Sequence, residues 1–132
     1  MSGGRIASRF ATLRTEGRGG FVAYLTGGDP DLAASARLVE ALDRGGADVV
    51  ELGVPFSDPL ADGPTIQRGM ERALASGTTL TSVLGLVDEV RDRVSAPIVL
   101  FSYANPILAY GRDRFVADAA AGDADALVDA LE

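Results

Sequence analysis

Three carboxylates stand close together in the first half of the chain, at Glu51, Asp58 and Asp62. Glu51 follows the mainly apolar run Ala47–Val50, which predicts that it lies near the carboxyl end of a β-strand, with both aspartates in the next loop. In open α/β sheets and in βα barrels, ligands bind at that end of the strands. The layout therefore indicates an active site whose chemistry rests on carboxyl groups.

The loop that carries the two aspartates contains residues that restrict or widen the choice of backbone conformation. Pro55, Pro59 and Pro64 fix φ at three points, while Gly53 and Gly63 allow conformations that other residues avoid. A loop of this composition can hold its carboxylates in set positions.

Each carboxylate also has a structural interpretation. Glu51 can pair with an arginine, and Asp58 can stabilise the loop in which it lies. Asp62 precedes a glycine, and the Asp-Gly pair is common in turns. The residue types alone therefore leave a catalytic and a structural role open for all three.

The chain has no cysteine and no histidine among its 132 residues. This composition excludes disulfides, thiolate catalysis and Cys-ligated metals, and it removes the commonest general base and metal ligand. The basic residues are all arginine, so proton transfer must use Asp, Glu or Tyr side chains, and we expect no metal site.

Charge and hydropathy limit the partners that we expect. The net charge of −7 argues against nucleic-acid binding, which needs a basic surface. No run approaches the roughly 20 apolar residues that span a bilayer, and the N-terminal residues contain no apolar signal core. We therefore expect a cytoplasmic protein without a membrane partner, and its 47% apolar content fits a single domain over residues 1–132.

Short apolar runs alternate with longer amphipathic stretches, which is typical of βα units around a parallel sheet. Strands are predicted at 21–25, 49–52 and 98–101. Helices are predicted at 5–16, 31–44, 65–75, 80–94, 106–110 and 112–121. The helix at 80–94 carries an apolar stripe along one face, formed by Leu80, Val83, Leu84, Val87 and Val90. The tail has Ala126, Leu127, Ala130 and Leu131 at helical spacing, so it is predicted as a helix from Ala124 onward.

These units predict an α/β fold of the parallel βα-barrel (TIM-barrel) type. A complete barrel of eight units takes about 250 residues, so the 132 residues hold the first three to four units. The three predicted strands are expected to be parallel, in the order one-two-three, with right-handed crossovers.

Three motifs, taken together and in this order, resemble the tryptophan synthase alpha subunit family. They are Phe21–Pro30, which ends in a Thr-x-Gly-Asp-Pro-like turn, Val50–Pro64 around the carboxylates, and Ser102–Pro106. The resemblance covers about residues 5–122. The family's fourth strand is not recognisable in residues 123–132, a tail that departs from the family pattern.

The resemblance implies a lyase of tryptophan biosynthesis that cleaves indole-3-glycerol phosphate to indole and glyceraldehyde 3-phosphate, with no cofactor. It implies Glu51 as the proton shuttle and Asp62 as the base or electrostatic partner at the indole N–H. It also implies a beta-subunit partner, as in the family's heterotetramer, contacted by the loop at Pro55, Ser57, Asp58 and Pro59. The aromatic residues near the strand ends are candidate walls of the substrate pocket: Tyr24, Phe101 and Tyr103.

Two other interpretations fit the sequence. The chain can be a catalytically inactive half-barrel, because the phosphate of such substrates usually binds to loops after the seventh and eighth strands. It can also be a folding module that associates with itself through the open edges of its sheet. A different phosphate-binding barrel enzyme is disfavoured by the Glu51-to-Asp62 segment.

Overall fold

The computed structural model describes residues 4–129, which alternate between helices and strands. The strands are β1 (Val22–Thr26), β2 (Val49–Gly53), β3 (Ile98–Ser102) and β4 (Ala126–Asp129). The helices are α1 (Arg5–Glu16), α2 (Leu32–Arg44), α3 (Pro64–Ala75), α4 (Leu80–Val90), α5 (Ala104–Tyr110) and α6 (Arg112–Ala121), with a 3₁₀ turn at Arg91–Arg93.

The four strands form one parallel sheet in the order β1-β2-β3-β4. The predicted parallel order of the first three strands is confirmed, and the handedness of the crossovers stays a prediction. Because all strands run in one direction, their carboxyl ends meet at one edge of the sheet. That edge therefore collects the residues that follow each strand.

The two faces of the sheet differ in how they are covered. One face buries Val50, Leu52, Ile98 and Leu100, which pack with apolar residues of α2 and α4 in the core. Side chains alternate along a strand, so the residues between them lie on the opposite face. This second face carries Tyr24, Glu51 and Phe101, all of them half-buried, and we call it the open face.

The apolar stripe that the sequence predicts on α4 is part of the core. Val83, Val87 and Val90 are each 1% exposed or less, and Leu84 is also buried. The predicted helix 80–94 is nevertheless too long, because the α-helix ends at Val90 and a 3₁₀ turn follows. None of the helices in residues 4–129 is long and apolar enough to cross a lipid bilayer.

The prediction of a helix after Ala124 is wrong. Residues Ala126–Asp129 form β4, which pairs with Val99–Ser102 of β3. The local spacing of apolar residues favoured a helix. Backbone hydrogen bonds to the edge strand β3 stabilise a strand instead. Ala130 and Leu131, which contributed to the helical pattern, lie outside the described residues.

Two aspartates cap the amino-terminal ends of neighbouring strands. Asp48 precedes β2, and its Oδ2 accepts a hydrogen bond of 2.8 Å from the backbone N–H of Phe21. Asp125 precedes β4 and accepts a bond of the same length from the backbone N–H of Ile98. Each carboxylate therefore satisfies a backbone donor at the start of the adjacent strand.

Helix α1 lies across these amino-terminal ends and contributes arginines to both aspartates. Near its start, Arg5 donates to Asp125 over 2.8 Å. Arg9 lies 3.8 Å from Asp48, and Arg18, just beyond the helix, donates to Asp48 over 3.1 Å. The ion pairs therefore connect α1 to both halves of the sheet.

Asp48 is buried and paired, so we expect the free energy of unfolding to depend on its charge and therefore on pH. The Phe21 N–H and the Arg18 guanidinium hold the pKa of Asp48 below its ordinary value. A lowered folded-state pKa adds stability above the unfolded pKa of about 3.9, and this stability is lost as pH falls through the folded value. We expect Asp48→Asn to lower the urea midpoint at about pH 7 and to lower it much less at about pH 2.5.

The matched control for this experiment is Asp113→Asn, because the Asp113 side chain is 96% exposed. We expect its urea midpoint to follow that of the parent chain at both pH values. Equal destabilisation by Asp48→Asn at the two pH values would show that charge at Asp48 is not what stabilises the fold.

Candidate active site

The register of the sheet places Tyr24 beside Glu51. The two residues are partners on β1 and β2, so their side chains leave the same face, and Val99 is the partner of Glu51 on β3. Glu51 is half-buried and points away from the helix-covered core. A carboxyl group in this position is reachable by a ligand that enters at the open face.

Gly53 leaves room for two aromatic rings to meet above the sheet. It lies between Thr26 on β1 and Phe101 on β3 in the register. The rings of Tyr24 and Phe101 contact edge to face, with centroids 6.0 Å apart. A Cβ at position 53 would lie 2.2 Å from Tyr24 Oη, so a side chain there would displace the ring.

The loop after β2 is fixed to the start of α3. The amide nitrogen of Gln67 donates to the backbone oxygen of Asp62 over 2.8 Å and to that of Pro59 over 3.3 Å. Further along α3, Arg72 makes a bidentate contact with Asp29 of the β1–α2 loop, at 2.8 and 2.9 Å. These contacts hold the loop and α3 beside the carboxyl end of β1.

Tyr103 positions the Asp62 side chain. Its hydroxyl donates to Asp62 Oδ2 over 2.8 Å and accepts from the backbone N–H of Ala61, also over 2.8 Å. Tyr103 is 2% exposed, and its ring lies 5.3 Å from that of Phe56. Burial, and then the bond to Asp62, raise the pKa of Tyr103, so the phenol keeps its proton and stays a donor.

Both carboxylates contribute to the electrostatic environment of the Tyr24 phenol. Burial of the phenol raises the pKa of Tyr24, the negative charges of Asp62 and Glu51 raise it further, and a bond to Thr26 opposes the shift. Glu51 is the register partner of Tyr24 on the neighbouring strand, and Asp62 lies on the loop after β2, where Tyr103 holds it.

The loop predicted to contact a partner has a buried base and an exposed tip. Pro55 is buried and Pro59 is half-buried, whereas Ser57 and Asp58 are exposed. The tip also carries Leu60, which is 81% exposed. Beside it runs a groove lined mainly by apolar side chains from the loop after β2, the end of α3, the start of α4 and α5: Val54, Pro55, Phe56, Leu74, Leu80, Pro106 and Ala109.

Of the predicted site residues, Glu51, Tyr24 and Phe101 share the open face, and Tyr103 holds Asp62 on the loop after β2. Their roles in chemistry stay predictions. The sequence did not single out Gln67, although a Gln in the first turn of a helix after a carboxylate loop is a weak signal of such a contact. Within residues 4–129, no group of three or more acidic side chains could hold a metal ion.

Parallel βα units with carboxylates at the carboxyl ends of the strands define part of a βα barrel. In enzymes with this fold, the active site lies at that end of the strands. A family model described as the tryptophan synthase alpha chain matches residues 10–130. The chain belongs to this family, as its three motifs predicted.

Curated relatives and solved structures agree with the assignment. The tryptophan synthase alpha chain of Geobacter sp. (strain M21) is 56% identical over 124 residues, covering 94% of this chain and 46% of the relative. That of Synechococcus elongatus is 53% identical over 123 residues, covering 93% and 46%. The chain thus spans about half the length of the curated relatives that it matches.

The fold matches crystal structures over the same half. Tryptophan synthase subunit alpha from Legionella pneumophila superposes with a TM-score of 0.92 at 40% identity, covering 95% of this chain and 48% of that one. A chain of tryptophan synthase from M. tuberculosis, in an aminoacrylate-bound form, gives 0.89 at 38% identity, covering 93% and 50%. The barrel type expected from the sequence is confirmed.

Proposed function

We propose that this chain supplies the acid–base groups that cleave indole-3-glycerol phosphate into indole and glyceraldehyde 3-phosphate in tryptophan biosynthesis. The observation that carries the proposal is the arrangement of the two carboxyl groups: Glu51 lies beside Tyr24 on the open face, and the Tyr103 hydroxyl holds Asp62 on the loop after β2. One carboxyl group stands on a rigid strand, and the other is held by hydrogen bonds on a loop. Family membership supplies the reaction.

The reaction is a retro-aldol cleavage in which one proton changes place. The ring carbon three of indole gains a proton, and the bond from that carbon to the side chain breaks. The hydroxyl on the adjacent side-chain carbon loses its proton and becomes the carbonyl of the aldehyde. Glu51 can give the first proton and take the second, which returns it to its starting state.

Asp62 has a different task in this scheme. Protonation of the ring places positive charge on the indole nitrogen, and a fixed carboxylate beside the N–H stabilises that charge. The Tyr103 bond and the Gln67 contact to its backbone hold Asp62 before the substrate arrives. The reaction exchanges protons and leaves the overall oxidation state unchanged, so carboxyl groups suffice and we propose no cofactor.

We also infer a beta-chain partner for the loop after β2. Its exposed tip, with Ser57, Asp58 and Leu60, stands beside the apolar groove that starts at Val54. A tip with one apolar and two polar side chains next to a groove is the composition expected of a protein contact. The M. tuberculosis chain that this fold matches comes from a structure of tryptophan synthase.

The function is tested by indole release from indole-3-glycerol phosphate. We expect the 132 residues alone to give little or no product, because phosphate sites of such barrels lie on loops after strands seven and eight. Activity should appear in a completed barrel, in which residues 1–129 are followed by the remaining part of the Geobacter sulfurreducens relative, 56% identical over 124 residues. A folded completed barrel without activity would contradict the proposal.

A self-associating, non-catalytic module is the second candidate. Phe21 and Val22, at the start of β1, are 55% and 45% exposed, so one edge of the sheet presents apolar surface. Sedimentation of the 132-residue chain separates the two functions. A stable dimer, together with an inactive completed barrel, would favour the module.

A further inference from the structure

The hydroxyl of Tyr24 occupies a defined place between β1 and β2. Its ring leaves the sheet beside Glu51, and the hydroxyl reaches Thr26 Oγ1 at 3.3 Å, one pleat closer to the carboxyl end. There it lies over Gly53, where a Cβ would come within 2.2 Å. The hydroxyl thus stands at the carboxyl edge of the sheet, beyond the strand position of Glu51.

This hydroxyl can form more hydrogen bonds than the one that it makes with Thr26. A phenol offers one donor and two acceptor sites, and in the contact with Thr26 either oxygen can be the donor. When Thr26 donates, the Tyr24 hydrogen is available to a ligand on the open face. Burial and both carboxylates raise the pKa of Tyr24, so the hydroxyl keeps that hydrogen near neutral pH.

The surroundings of the hydroxyl select the kind of ligand atom that it can serve. A phosphate group is repelled by the Asp62 carboxylate, which stays charged in the proposed mechanism, so we expect it to bind elsewhere. An indole N–H is a donor and needs an acceptor, which a carboxylate provides. A hydroxyl oxygen, in contrast, can accept from Tyr24 while it gives its own hydrogen to Glu51.

We propose that the Tyr24 hydroxyl is a substrate-binding group that donates a hydrogen bond to a side-chain hydroxyl oxygen of the substrate, and that Gly53 leaves the space for it. This inference rests on the proposed function and adds a third polar group to the site. A donor at that oxygen also stabilises the negative charge that develops when Glu51 removes the proton.

The test uses the full chain and two phosphate-free ligands, indole-3-glycerol and indole-3-propanol, which differ only in two side-chain hydroxyls. Dissociation constants are measured by NMR titration of the backbone amides around Gly53. We expect Tyr24→Phe to weaken binding of indole-3-glycerol about tenfold and to leave indole-3-propanol within about twofold. The ring of Phe keeps its contact with Phe101, so the fold is preserved.

Two further variants sharpen the comparison. Gly53→Ala pushes the hydroxyl aside through its Cβ, and we expect it to remove the preference for indole-3-glycerol as Tyr24→Phe does. Tyr110→Phe removes a phenol that bonds Asp118 on another part of the surface, and we expect it to change neither constant.

Each outcome decides the matter. Equal weakening of both ligands by Tyr24→Phe would overturn the inference, because Tyr24 would then be only a wall of the pocket. Unchanged binding of both ligands would overturn it as well, and in either case the proposed function would stand. If the parent chain binds neither ligand while the completed barrel releases indole, the inference alone fails. If the completed barrel is also inactive, the proposed function fails with it.

Discussion

Glu51→Gln is expected to reduce indole release by the completed barrel at least about a hundredfold, because general acid–base groups contribute factors of this size or larger. Gln has nearly the size of Glu and keeps its hydrogen-bonding oxygen, but it cannot carry the proton. Any residual rate of the 132-residue chain should disappear with the same change. The measurement is kcat and KM with indole-3-glycerol phosphate.

Glu89→Gln provides the matched control, since Glu89 is an exposed residue of α4 that pairs with Arg93 on the outside of the fold. It should leave turnover unchanged. Robust turnover that survives Glu51→Gln would mean that the proton travels through another group.

Tyr103→Phe should lower kcat of the completed barrel about tenfold to a hundredfold with little change in KM. The change removes the donor to Asp62 and the acceptor for the Ala61 N–H. A catalytic group displaced by about 1 Å can lose a hundredfold in rate. Because the effect passes through Asp62, adding Tyr103→Phe to Asp62→Asn should cost little more than Asp62→Asn alone.

Amide hydrogen exchange gives a second readout for Tyr103. The Ala61 N–H should exchange faster in Tyr103→Phe, whereas Tyr110→Phe, which removes another Tyr-to-Asp bond, should leave it protected. Additive losses in the double variant, or an unchanged Ala61 exchange rate, would show that Tyr103 acts on the substrate and not on Asp62.

Elements with a strong local signal were predicted from the sequence almost to the residue. Helix α1 ends where predicted because Gly17 adopts a left-handed conformation, with φ of 67°, that terminates helices. The spacing of Val83, Val87 and Val90 predicted the buried stripe of α4 because that stripe follows the helical period. In contrast, β4 depends on a partner strand far away in the sequence, and its own residues favoured a helix.

In the candidate site, too, one residue position follows from local sequence and another depends on a distant residue. The position of Glu51 at a strand end follows from local sequence, because the strand period and the loop composition are both local. The position of Asp62 follows from Tyr103, which is 41 residues away. The sequence predicted Tyr103 only as a pocket residue. An aromatic residue at a strand end gives no local indication of the loop with which it will form hydrogen bonds.

The ion pairs of α1 impose an order on the assembly of the chain during its synthesis. Arg18, just past the helix, finds its partner Asp48 only 30 residues later, so this end of α1 can dock as soon as β2 has formed. Arg5, at the other end, pairs with Asp123 and Asp125, which lie 118 and 120 residues away. We therefore expect a growing polypeptide to hold α1 through Arg9 and Arg18 alone, until the residues that lead into β4 have left the ribosome.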